Sequence, residues 1–244
     1  MPRFSLPDVL RPWIDPDVLG LTALPLPTLL EAPSGRCSVC GASLLGHELA
    51  SGVVNACHRP PGIDALISLG DYSGPAGQAA RLIKGTCWTD GAWWWGSALG
   101  RQLLNPAHGI GRARIGAASG EDATSMIPPG VVLVPVPGDR LRTLLRGIDH
   151  ATALTRAVSA ACGWPWRSLL VRQDRTRQAS RRARKRLEIQ GRFSMQSNRD
   201  SIPERVLLVD DICTTGATAA DCARAVRLAG AEWVSLGVLA RAHR

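Results

Sequence analysis

The sequence predicts an α/β fold, a mostly parallel sheet with flanking helices, preceded by a small N-terminal cysteine module. Three observations carry this. Continuous apolar, β-branched runs stand at 131–137 (VVLVPVP) and 205–209 (RVLLV), as in parallel strands buried on both faces. Stretches of helical period at 148–162 and 217–229 alternate with them, so strand, loop and helix recur as βαβ units. Cys37, Cys40 and Cys57, the grouped members of seven cysteines, all precede the first expected strand.

Residues 1–36 are rich in proline and read as a leader, in which 18–30 suits one short helix. Acidic residues interrupt its apolar ones, so it has no secretory core. The longest apolar run, 131–137, falls far short of the ~18 residues a membrane helix needs, which places the chain in the cytosol. An odd number of cysteines without a secretory signal suits reduced thiols or metal ligands better than a disulfide frame.

Residues 37–62 have the small-residue composition of a compact knuckle. Structural zinc takes four ligands, often as two C-x-x-C pairs. Cys37, Cys40 and Cys57 supply three, and His58 or His47 the fourth. A knuckle packed without metal is the other reading.

The main domain spans 63–244. Residues 63–72 (IDALISLGDY) predict its first strand, 77–84 the start of an amphipathic helix, and 93–104 a second helix whose Trp93, Trp94 and Trp95 pack a core or interface. Glycine and alanine without apolar period make 109–129 a loop. The helix at 148–162 has Asp149 as its cap and Gly163 with Pro165 as its stop. A strand at 205–209, a helix at 217–229 closed by Gly230, and a strand at 233–240 complete the sheet. Ligands of such sheets bind beyond the carboxyl ends of the strands, so the loops at 135–147 and 210–218 are where chemistry is expected.

The charge of +9 is unevenly spread. Residues 172–192 carry nine basic residues against Asp174 and Glu188. Such a block is either a solvated face or a partner for phosphates, of a nucleotide or of a nucleic acid.

The segment VLLVDDICTTGAT at 206–218 is the most specific feature. A strand delivers Asp210 and Asp211 to its end, and Thr214, Thr215, Gly216 and Thr218 turn into the next helix. Hydroxyls and helix-start N–H groups surround a phosphate dianion, because those N–H groups lack intrahelical acceptors and the helix dipole favours negative charge. Two carboxylates beside a phosphate repel it unless they accept hydrogen bonds from sugar hydroxyls or hold Mg²⁺. A ribose 5-phosphate meets both conditions.

This segment resembles the motif with which type I phosphoribosyltransferases bind 5-phosphoribosyl-1-pyrophosphate (PRPP). The resemblance implies that fold, with Asp210 and Asp211 on the ribose hydroxyls or Mg²⁺, and Cys213, Thr214, Thr215, Gly216, Ala217 and Thr218 around the 5-phosphate. Thr214 stands where oxopurine-salvage members carry an aspartate, which argues against that branch. More widely, Cys37-x-x-Cys40, Tyr72-Ser73-Gly74, Leu82-Ile83-Lys84, VPVPGDRLRTLLRG at 134–147, Arg175-Thr176-Arg177-Gln178 and Gly191-Arg192-Phe193 are similar to the ComF/GntX family of competence-associated phosphoribosyltransferase-like proteins.

By that resemblance Gly138, Asp139 and Arg140 lie at the pyrophosphate, with Arg142 in reach and Lys84 either on a phosphate or solvated. Arg175, Arg177 and Gln178 belong to a mobile loop that closes over PRPP. The chain departs from the family at 147–150, Gly-Ile-Asp-His in place of Gly-Phe-Asn-Gln. Two functions follow. One is transfer of phosphoribosyl to an acceptor with Mg²⁺, releasing pyrophosphate. The alternative is a non-catalytic, PRPP-responsive protein of DNA uptake or recombination that binds single-stranded DNA through basic residues and tryptophans.

Overall fold

The computed structural model describes residues 59–85, 89–104, 127–139, 143–144, 147–173, 191–196 and 201–242. The leader, the candidate zinc ligands Cys37, Cys40, Cys57 and His58, residues 109–126 of the loop expected at 109–129, and Arg140, Arg175, Arg177 and Gln178 lie outside the described residues.

In chain order the elements are β1 (Leu66–Asp71), α1 (Pro75–Gly85), α2 (Thr89–Leu104), β2 (Val132–Pro135), α3 (His150–Cys162), β3 (Leu170–Arg172), β4 (Phe193–Met195), β5 (Arg205–Cys213), α4 (Ala217–Leu228) and β6 (Trp233–Arg241). Four strands form one parallel sheet in the order β1-β6-β5-β2. The outer edge of β2 adds one parallel bridge, Leu133 to Trp166. There Leu133 N–H donates to Pro165 and Arg167 N–H to Leu133, each at 2.9 Å.

Alternation along β5 builds two cores. Leu207 and Val209 face α1, α2 and α3, among Ala79, Ile83, Trp95, Leu99, Leu154 and Val158. Val206 and Leu208 face α4 and the β3–β4 pair, among Leu170, Phe193, Ala219, Cys222, Ala223 and Val226. All four β5 residues from Val206 to Val209 are fully buried. At about 1.5–3 kcal/mol for each large apolar side chain removed from water, this two-sided burial outweighs any surface ion pair in the molecule.

The caps follow the sequence. Asp149 sits before α3 in extended conformation and accepts from Thr152, at 3.4 Å from its backbone N–H and 2.7 Å from its hydroxyl. Gly163 ends the helix in the left-handed region, its N–H donating to Ser159 O at 2.8 Å.

Three features differ from expectation. Strand β5 does not stop at Val209 but runs through both aspartates to Cys213, because its ladder with β6 continues to Cys213 opposite Arg241. Polar side chains do not end a strand whose backbone groups stay paired. A short antiparallel ladder, β3 with β4, flanks the basic block, its three-residue strands too short to show a period. Finally, the three tryptophans divide: Trp95 is buried, Trp94 packs against it edge to face at 5.8 Å, and Trp93 is 52% exposed.

Helices α2 and α3 meet through glycine. A Cβ at Gly96 would lie 2.7 Å from Ala157 Cβ and 2.8 Å from Leu154 O, and one at Gly100 would lie 2.7 Å from Ala161 Cβ and from Val158 O. The helices therefore touch at backbone distance, and α2 has no room for side chains on that stripe. Overpacking such a contact costs about 1–3 kcal/mol. Gly96→Ala is expected to destabilise by about that amount in urea unfolding, although alanine is the better helix former by ~1 kcal/mol, while Ser97→Ala on the outer face stays within ~0.5 kcal/mol.

Candidate phosphate and diol site at the end of the central strand

The site is built where β5 leaves the sheet. Residues Asp210, Cys213, Thr214, Thr215, Ala217 and Thr218 line a cavity of ≈ 40 Å³ against the start of α4, well above the ~10–15 Å³ one water requires. Thr214, Thr215 and Thr218 are exposed, so their hydroxyls are open to a ligand. Gly216 precedes α4 with φ 75°, and a Cβ there would lie 2.4 Å from Pro60 Cγ. Glycine is thus required twice, by the left-handed conformation and by the close approach of the segment before β1. Thr215 Oγ1 accepts from Ala217 N–H at 3.3 Å, and no side chain at the cap position itself closes the helix.

That preceding segment is anchored at the far end of α4. Arg227 donates to Asp64 at 2.6 Å and to Gly62 O at 2.9 Å, while Val234 N–H donates to the same carboxylate at 2.8 Å. One ion pair therefore links the entry to β1, the end of α4 and the start of β6.

The two aspartates differ in environment. Asp211 is buried, and the Lys84 ammonium from α1 meets both of its oxygens at 3.1 Å. Asp210 accepts from the Asp211 N–H at 2.8 Å and faces the cavity. Burial pushes the Asp210 carboxyl well above its ordinary range, and the neighbouring Asp211 charge adds to this, while the Asp211 N–H and Lys84 pull the other way. A strand end that keeps a carboxylate at this cost is suited to a ligand that compensates it: hydroxyl donors, or a cation.

Among the described residues no three His, Cys, Asp or Glu gather into a metal cage. Mg²⁺ is commonly held by one or two carboxylates plus substrate phosphates, and the acidic pair fits that mode.

Among the described residues, none of the expected pyrophosphate residues Gly138, Asp139 and Lys84 lines this cavity. Gly138 lines a second cavity of ≈ 330 Å³ between the loop after β2, the start of α3 and β3, together with Pro137, Thr143, Asp149, Thr152 and Arg172. Asp139 pairs with Arg172 at 3.8 Å. Lys84 is on the acidic pair. Sequence reading missed Arg241, buried at the end of β6, whose Nη1 donates to Thr214 O at 2.8 Å and contacts Cys213 Sγ at 2.7 Å. Its signal is positional: an arginine ends an otherwise apolar strand where that strand pairs with Cys213. Burial pushes the Cys213 thiol up, and Arg241 opposes this.

Near its carboxyl end the inner strand β5 of this parallel sheet carries paired carboxylates, followed by a threonine-glycine turn into a helix. The chain is similar over most of its length to competence protein F of Haemophilus influenzae, 24% identical over 210 residues, 84% of this chain and 84% of the relative. That similarity bears out the competence-family resemblance of the motifs. No protein-family model matches the chain. A solved structure of the allosteric regulatory enzyme of purine biosynthesis shows a loose likeness, with TM-score 0.36 and 20% identity over 59% of this chain and 25% of that one. The match thus spans about a quarter of that enzyme's length.

The raised Asp210 value sets a pH dependence. Between the ordinary value of 3.8 and the higher value in the fold, the folded chain holds a proton that the unfolded chain has lost. Stability from this group therefore falls as pH rises through that interval and is flat above it. Asp210→Asn, which keeps an acceptor for the Asp211 N–H, is expected to be more stable than the wild type at pH 8, with the difference shrinking as pH approaches 4. Urea midpoints of both proteins across that range check this, and equal midpoints at pH 8 would contradict it.

Proposed function

We propose that this chain binds PRPP at the carboxyl end of β5, as a phosphoribosyltransferase-like protein of the competence type. The observation that carries this is the cavity that Asp210 and the 213–218 turn form together at the start of α4. Its chemistry divides into an acceptor half, suited to sugar hydroxyls, and a donor half, suited to a phosphate dianion. In this reading the hydroxyls of Thr214, Thr215 and Thr218 and the first N–H groups of α4 take the 5-phosphate. Asp210 and Asp211 accept from the ribose 2′ and 3′ hydroxyls, and Lys84 offsets their charge, holding Asp211 in place.

The diphosphate of PRPP then extends toward the loop after β2, where backbone N–H groups near Gly138 and the side chain of Arg140 receive it. Bound Mg²⁺ would supply charge neutralisation at the diphosphate. If an acceptor attacks the anomeric carbon, the glycosidic bond to pyrophosphate breaks and negative charge gathers on the leaving group, where Arg140, Arg175 and Arg177 would stabilise it. Gln178 belongs to the same covering segment, whose closure would keep water from the reacting carbon. Zinc on Cys37, Cys40, Cys57 and His58 would have a structural role in the N-terminal module.

Half-exposed Trp93 supports the second reading, in which the basic block and an aromatic face hold single-stranded DNA. Such binding would weaken steeply with salt and with neutralisation of Arg181, Arg182 and Arg184. Salt-insensitive or absent binding counts against it.

Calorimetric titration of PRPP with Mg²⁺ is the direct test. Saturable binding is expected, and an Asp210→Asn, Asp211→Asn double variant should weaken it about 100-fold or more, since hydrogen bonds to charged groups contribute about 1.5–3 kcal/mol each. Absence of binding by the intact chain would overturn the proposal. Release of pyrophosphate on adding candidate acceptors would separate transfer from binding alone.

A further inference from the structure

Arg241 closes β6 in register with Cys213, the last residue of β5. Its side chain is buried and curls over the end of the sheet, Nη1 donating to Thr214 O at 2.8 Å and to Cys213 O at 3.4 Å and contacting Cys213 Sγ at 2.7 Å. The ladder itself continues here, with Ala242 N–H donating to Cys213 O at 2.9 Å. A buried guanidinium that satisfies two successive carbonyls of a turn does more than fill space. In a trans peptide the C=O and the following N–H point in opposite directions. Holding the carbonyls of Cys213 and Thr214 on Arg241 therefore turns the N–H groups of Thr214 and Thr215 away from it.

We propose that Arg241 is the positioning residue of the phosphate turn: it pulls the 213 and 214 carbonyls inward, presents the 214 and 215 N–H groups to an anion, and sets a buried positive charge behind them. This rests on the PRPP reading for the identity of the anion and makes a narrower claim, that affinity for the sugar 5-phosphate in particular depends on a residue that does not line the cavity. Without the guanidinium, Cys213 O would stay in the ladder with Ala242, but Thr214 O would lose its charged donor and that peptide would be free to turn oxygen toward the phosphate. Oxygen facing oxygen repels, so the loss should be selective for the 5-phosphate. Pyrophosphate, bound at the loop after β2, should be indifferent.

The test compares two probes, ribose 5-phosphate and magnesium pyrophosphate, on wild type and Arg241→Met, with thermal unfolding to verify the fold. The expected result is ribose 5-phosphate affinity reduced about tenfold or more, the scale of one charge-assisted hydrogen bond, with pyrophosphate affinity unchanged within about twofold. Equal affinity of both proteins for ribose 5-phosphate, or equal losses for the two probes, would overturn the proposal. Should Arg241→Met not fold, Arg241→Lys, which keeps the charge but ends one bond short of the Nη1 position, carries the same comparison by the same criteria. Failure of the wild type to bind ribose 5-phosphate at all would be a different result, removing the PRPP reading together with this one.

Discussion

Strand β5 is held on both edges and both faces, and the candidate site depends on that constraint. Its ladders with β2 and β6 pair the backbone on each side, and two apolar cores pack its alternate side chains. A strand so confined cannot shift register, since a slip of one residue would send Leu207 and Val209 into the core made for Val206 and Leu208. Its last residues, beyond the β2 ladder, stay in place through the continuing ladder with β6. Polar groups that would fray the end of an edge strand are here carried to a fixed point in space.

The same firmness explains how the acidic pair is sustained. Burial and mutual repulsion both oppose charge on Asp210, and neither is fully offset by Lys84, which contacts Asp211. Lys84 is about half exposed, so its contribution to folding is modest. Its larger effect is orientation, because it anchors one carboxylate on α1 while the other stays at the cavity. The stability for this arrangement comes from the two-sided core, in keeping with the general pattern that functional sites are strained and the scaffold compensates.

Cations are distributed around the site in two ways. Lys84 and Arg241 are built into it, one countering the carboxylates and the other holding carbonyls beneath the turn. Arg172 stands at the start of the basic segment, lines the larger cavity and pairs with Asp139. Under the proposed function, the sugar-phosphate half of the ligand would be received by main chain and hydroxyls on a rigid strand end, and the diphosphate half by loop residues.

The sequence by itself determined the chain order of the four strands of the parallel sheet and of the four helices, the caps at Asp149 and Gly163, and the segment that forms the cavity. These are local properties: continuous apolar runs mark buried parallel strands, helical period marks α3 and α4, and a carboxylate pair before a threonine-glycine turn has few chemical uses. Tertiary structure alone decided that β5 runs on to Cys213, since a neighbouring ladder and not local propensity sets where a strand ends. It decided that Lys84 serves the acidic pair, 127 residues away, and that Gly96 and Gly100 form a helix contact. It also placed Arg241 beneath a turn 27 residues earlier. Such pairings depend on which elements the sheet order brings together, and residue spacing along the chain does not encode that distance.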